Sequence, residues 1–163
     1  MILGIDTGDH GCLCFLEDAQ SVFVDMPMVR LSRTRLELDI SELHRVLLER
    51  KPSIAYMEAL HPMPGKLGGS NANFKRGGYL YAFRAFFCAM GVRLREVGVK
   101  QWQKEFGIKN TKDSDTKAQA YLIASRLYPD VDLKTERGVI IDGRADALLI
   151  ARYGQLQEGR AAA

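Results

Sequence analysis

Apolar residues open the chain as MILGI and stop at an acid, Asp6, followed by the turn residues Thr7, Gly8 and Asp9. So short a run, ended by turn residues, reads as a buried strand. CLCFLE at 12–17 and SVFVDM at 21–26 read the same way, with a turn around Asp18 and Ala19, so the first 26 residues predict an antiparallel meander. The period then becomes helical over 39–51, where Ile40, Leu43, Val46 and Leu47 share a face and Asp39 or Ser41 can cap the start. Residues 53–60, SIAYMEAL, predict a fourth strand with Glu58 near its C-terminal end.

A loop rich in Pro, Gly and Asn follows at 61–73, then FKRGGYLYAFRAFFCAM at 74–90. That helix is apolar on nearly every side, which predicts burial all round, either centrally or under a second subunit. Residues 92–97 alternate as a half-exposed strand, 100–106 form a short helix holding Trp102, and 107–113 form a basic loop. Ser114 can cap a helix over 115–128, which Pro129 ends. After a loop at 130–141, the last helix runs from about Asp142 to Gln157, leaving 158–163 as a frayed tail. The order β-β-β-α-β-α-β-α-α predicts a mixed sheet flanked by helices, an α/β protein.

At 163 residues the chain suits one domain, over 1–157, and its 47% hydrophobic and 26% charged residues are ordinary for a globular protein. No apolar run approaches a membrane span, and the N-terminus lacks the basic start and cleavage site of a signal peptide. Cys12, Cys14 and Cys88 lack zinc-ligand spacing and read as reduced thiols of a cytoplasmic protein. Charge alters the picture more. Residues 1–60 carry six Lys or Arg against ten Asp or Glu, whereas 61–117 carry eleven against four. A basic middle suits a polyanionic partner or a solvated face.

The acids raise the chemical question. A carboxylate at the end of an apolar strand needs a donor, a cation or a metal to compensate it. Asp6 and Glu58 each end such a strand, and Asp142 and Asp146 lie one turn apart at the start of the last helix. Asp142 could serve as a helix cap. If the first and fourth strands are neighbours, three or four carboxylates converge, and Mg²⁺ or Mn²⁺ is the simplest compensation.

GIDTGDHG, YMEAL and DGRADALLIA, in this order and spacing, resemble the RuvC-type Holliday-junction resolvases of the RNase H-like superfamily, over about residues 1–154. The Asp6-Thr7-Gly8 turn stands where the family has Asp-Pro-Gly. Glu58 stands at the second acid and Asp146 at the final helix acid. The family usually has another acid three residues before that last one. Here that position is Gly143, with Asp142 one residue earlier.

The resemblance implies an RNase H-like mixed five-stranded sheet and a homodimer joined through the helix after the second acid, with Tyr79, Phe83, Phe86 and Phe87 at the interface. It implies two Mg²⁺ ions, replaceable by Mn²⁺, held by Asp6, Glu58, Asp146 and Asp142. Lys117 and Lys100 match the family's lysines near the scissile phosphate. His61 stands nearest the place where a relative's aromatic can stack on a junction base; it could equally be an exposed loop histidine. Lys66, Lys75, Arg76, Lys104, Lys109 and Lys112 would hold DNA arms. The implied activity is junction resolution by paired nicks, in DNA recombination and repair. A helicase partner cannot be named, and the departures from the bacterial pattern suit a phage-type member.

Three rivals remain. GIDTG also resembles the phosphate loop of actin-like ATPases and sugar kinases, but 163 residues leave no room for their second large domain. A catalytically dead junction-binding scaffold would keep the basic middle without needing four acids. A nuclease of forks, other branched DNA or RNA–DNA hybrids would keep the acids without needing a dimer helix.

Overall fold

The computed structural model describes residues 1–33, 35–64, 69–109, 111 and 114–162. Strands β1 (Ile2–Asp6), β2 (Cys12–Glu17) and β3 (Gln20–Asp25) form the expected antiparallel meander. Strands β4 (Met28–Arg30) and β5 (Leu36–Leu38) then pair as a separate hairpin. Helix α1 (Ile40–Arg50) leads to β6 (Ile54–Glu58), α2 (Ser70–Ala89) and β7 (Arg93–Val97). Helices α3 (Val99–Glu105), α4 (Thr116–Leu127) and α5 (Asp142–Ala162) complete the chain. The main sheet has the order β3-β2-β1-β6-β7, with β1, β6 and β7 parallel. The mixed five-stranded α/β sheet read from the sequence is therefore present, and β1 and β6 are neighbours.

Two cores cover the two faces, and strand alternation decides which residues enter which. Leu3, Ile5, Leu13, Phe15, Ala55 and Met57 pack with Leu43, Val46 and Leu47 of α1 and Tyr79, Phe83 and Phe87 of α2. Cys12, Cys14, Leu16, Ile54 and Tyr56 pack on the opposite face with Trp102, Ala120, Ala124 and the small residues Ala145, Ala147 and Ala151 of α5. The period of two therefore puts Asp6, after Ile2 and Gly4, and Glu58, after Ile54 and Tyr56, on the face that α5 covers.

Helix α5 lies unusually close to β1. A Cβ on Gly4 would stand 2.1 Å from the Ala147 carbonyl oxygen and 2.4 Å from the Ala151 amide nitrogen. Glycine in the strand and alanines in the helix make this approach possible. Gly154 repeats it lower down, where a Cβ would meet the Tyr56 ring at 2.6 Å.

The structure corrects four expectations. Helix α2 begins at Ser70, not Phe74, and is not central: Phe74 is 85% and Tyr81 67% exposed in the single chain, so of the two forms of burial expected for it only cover by a second subunit remains. Asp115 rather than Ser114 caps α4, its carboxylate accepting from the Ala118 amide at 3.0 Å. The C-terminal segment does not fray at 158. α5 continues to Ala162, with Glu158 accepting from Tyr56 Oη (2.7 Å) and Arg93 (3.0 Å), and Arg160 donating to Glu105 at 2.6 Å. Last, Tyr79, Phe83 and Phe87 belong to the chain's own core, at 6%, 0% and 0% exposure. They cover the sheet and have no surface left for a partner. Phe86 is partly buried and stacks on His44.

Among the described residues no helix is long and apolar enough to cross a membrane.

Candidate active site

Asp6 and Glu58 end adjacent parallel strands, with Ile5 opposite Met57 in the register. The N-terminal turn of α5 sits over them. A Cβ on Gly143 would lie 3.2 Å from Asp6 Oδ2 and 2.5 Å from the His10 carbonyl oxygen. An acid at 143 would collide with the turn after β1. That gives a physical reason for the shift of the first helix acid to Asp142.

Electrostatics report the crowding. Burial pushes the Asp6 carboxyl up to about 8, and Asp146, Glu58 and Asp142 add to the rise while Lys117 opposes it. Asp146 is pushed up to about 7 by burial, then by Glu58 and Asp142, again against Lys117. Burial also raises Glu58, while Trp102 and Arg76 pull it down. Among the described residues, the buried Thr7 hydroxyl and Trp102 indole N–H find no partner at hydrogen-bond geometry. The indole lies near enough to favour the Glu58 carboxylate electrostatically.

Asp142 is not a helix cap. It is the first residue of α5, and the carbonyl before it, on Ile141, accepts from the Arg144 amide at 3.0 Å. Its carboxylate accepts from Lys117 Nζ at 2.5 Å. Lys117, in the first turn of α4, is the lysine brought to the acids. Lys100 is exposed in the first turn of α3.

The basic residues divide. Lys104 and Lys109 are exposed. Arg76 acts on Glu58 and donates from Nε to the His61 carbonyl at 3.2 Å. Lys75 is held by Asp9. His61 is exposed. Lys66 and Lys112 lie outside the described residues. The sequence pattern does not mark Trp102 and Arg76 as neighbours of Glu58. A lone tryptophan after a short strand hints at burial, and nothing in the pattern says beside what.

The four carboxylates supply only hard oxygen donors and stand crowded and poorly compensated, which suits a divalent cation with oxygen preference. They are not a closed cage. Among the described residues, no three His, Cys, Asp or Glu are gathered tightly enough to hold an ion as they stand. Ligation would draw Asp142 away from Lys117.

No protein-family model matches the chain, and no curated protein does. Solved structures do. RuvC of Thermus thermophilus matches with a TM-score of 0.61 at 17% identity, over 96% of both chains. The same organism's RuvC in complex with a Holliday junction substrate matches with a TM-score of 0.59 at 16% identity, over 95% of both. The fold is that of RuvC. At this identity the likeness speaks for the fold.

Proposed function

We propose that the protein is a divalent-metal-dependent endonuclease that resolves four-way DNA junctions by paired symmetric nicks. The observation that carries this is the crowding of four carboxylates at the ends of β1 and β6 and the start of α5, with a lysine against them. A buried acid cluster with raised pKa values costs stability, and metal-dependent hydrolysis is the function that uses it. The RuvC fold supports the same reading.

Asp6, Glu58 and Asp146, with Asp142, would hold two Mg²⁺ ions, with Mn²⁺ substituting. The chemistry supplied at such a site would be a lowered pKa for an attacking water and charge stabilisation at a leaving 3′ oxygen, which would give 5′-phosphate and 3′-hydroxyl ends. The chain's own part is positional. The paired strands fix Asp6 against Glu58, and the glycine contacts fix α5 over both. The Lys117 ammonium, 67% exposed, can turn to a phosphate once Asp142 is otherwise engaged. Lys100, exposed at the start of α3, is a second candidate for the same task. Arg76, Lys104 and Lys109, together with Lys66 and Lys112, would carry the DNA arms, and His61 offers a ring to an unpaired base.

Cutting two strands symmetrically calls for a two-fold dimer. We place its interface on the outward side of α2, around Phe74, Tyr81 and Cys88, in place of the ring set first expected.

The test is cleavage of a mobile four-way junction in Mg²⁺ beside linear duplex, a fork and an RNA–DNA hybrid. Paired nicks at symmetric positions in the junction alone are expected. Binding should weaken about a thousandfold between roughly 50 and 200 mM salt, the loss set by about six phosphate contacts. Equal cutting of forks or hybrids would make it a broader nuclease, and tight binding without cutting would make it a scaffold.

A further inference from the structure

We propose that Asp9, Lys75 and Tyr79 form a brace that fixes the turn after β1, and so Asp6, against α2, and that Lys75 is thereby withheld from DNA. Both oxygens of the Asp9 carboxylate are engaged: Lys75 Nζ donates to Oδ2 at 2.5 Å and Tyr79 Oη to Oδ1 at 2.8 Å. The ammonium lies 5.8 Å from the centre of the Tyr79 ring. Lys75 and Asp9 are only 30% and 37% exposed, so the pair is shielded more than an open surface bridge. Burial alone would raise the Asp9 carboxyl, but the hydrogen bonds from Lys75 and Tyr79 outweigh it and hold the group below its usual range.

The turn needs such support. Gly8 has φ +142, outside the range of L side chains, and the turn's own closing bond runs from the Gly11 amide to the Gly8 carbonyl at 3.1 Å. The same stretch of α2 also grips the segment after β6. Asn73 exchanges two hydrogen bonds with the Met63 backbone, at 2.9 and 3.1 Å, and Arg76 donates to the His61 carbonyl. One helix thus holds the segments that follow both acid-bearing strands. Its residues 73, 75, 76 and 79 face these turns, while Tyr81 and Cys88 face outward. The strand pairing spaces Asp6 and Glu58, and α2 steadies the turns that follow them.

Two readouts test this, on the full chain with Lys75→Met, Asp9→Asn and the conservative Lys75→Arg. The first is amide hydrogen exchange, which needs no activity. Exchange over residues 7–11 should quicken about tenfold in Lys75→Met and Asp9→Asn, stay near wild type in Lys75→Arg, and leave β6 unchanged. Unchanged exchange over 7–11 overturns the brace. The second readout rests on the nuclease reading above. Junction affinity should stay within about twofold of wild type in Lys75→Met, while cleavage at saturating junction falls about tenfold or more, as expected of misplacement rather than lost contact. Weaker binding with a salt slope lower by about one and normal saturated cleavage would make Lys75 a phosphate contact and overturn the proposal. If the wild type cuts nothing, the nuclease reading fails, and hydrogen exchange alone decides the brace.

Discussion

Asp6→Asn is expected to abolish junction cleavage and, in metal-free buffer at pH 8, to raise the melting temperature. The Asp6 carboxyl stands at about 8 against a usual 3.8, through burial first and then Asp146 and Glu58. A carboxyl raised in the folded state contributes stability while protonated. That contribution is complete below about pH 3.8 and is lost as the pH climbs through about 8. At pH 8 the wild-type protein has lost most of it, and asparagine removes the charge that causes the loss. Allowing for relaxation and for an imperfectly hydrogen-bonded amide, the gain is about 2 kcal/mol, or roughly 4–8 °C. At pH 4 the two proteins should melt together. Thermal unfolding with EDTA at both pH values, beside cleavage in Mg²⁺, checks the two halves. A variant that cuts normally, or one whose stability difference ignores pH, removes Asp6 from the acid cluster.

Gly4→Ala carries the other large effect, and it acts through packing. The new methyl would meet backbone, the Ala147 oxygen at 2.1 Å and the Ala151 nitrogen at 2.4 Å, so no side chain can swing aside. α5 must lift from β1, at a cost of about 3 kcal/mol or more, lowering the melting temperature by roughly 6–12 °C. Ala147 directly follows Asp146, so the lift also parts Asp146 from Asp6, and cleavage should fall further than stability alone requires. Gly159→Ala is the control. It lies exposed on the same helix with nothing within 4 Å of a Cβ, and should stabilise the protein by about 0.5–1 kcal/mol. Near-normal stability in Gly4→Ala would mean that α5 does not seat this way.

Much of the site was legible because a charge inside an apolar run is costly. Asp6 and Glu58 announce themselves by interrupting strands, and the period of two then sends both to one face. The helix over 39–51 was legible from its spacing and its Asp39 cap, which accepts from the Glu42 amide at 3.0 Å. Other features depend on contacts distant in sequence. The β4–β5 hairpin has three-residue strands flanked by arginines, too short for alternation to register. The aromatic richness of α2 did not say which rings face inward; Tyr79, Phe83 and Phe87 do, and Phe74 and Tyr81 do not. Lys75 reads as a DNA contact by charge, yet its partner Asp9 is 66 residues away. The tail reads as frayed because Glu158 and Arg160 find their partners on β6, β7 and α3. Gly143 reads as a missing acid until the turn carbonyl beneath it is seen.

The most direct measurement is calorimetric binding of Mn²⁺ to the metal-free protein in buffers of different ionisation enthalpy, at pH 7 and pH 9. Ligands must shed their protons to bind metal. With Asp6 at about 8 and Asp146 at about 7, binding at pH 7 should release between one and two protons. Release should fall close to zero at pH 9, and binding should be lost in Asp6→Asn. Binding at pH 7 with no proton release, or undiminished by Asp6→Asn, would contradict the assignment of these acids as the metal site.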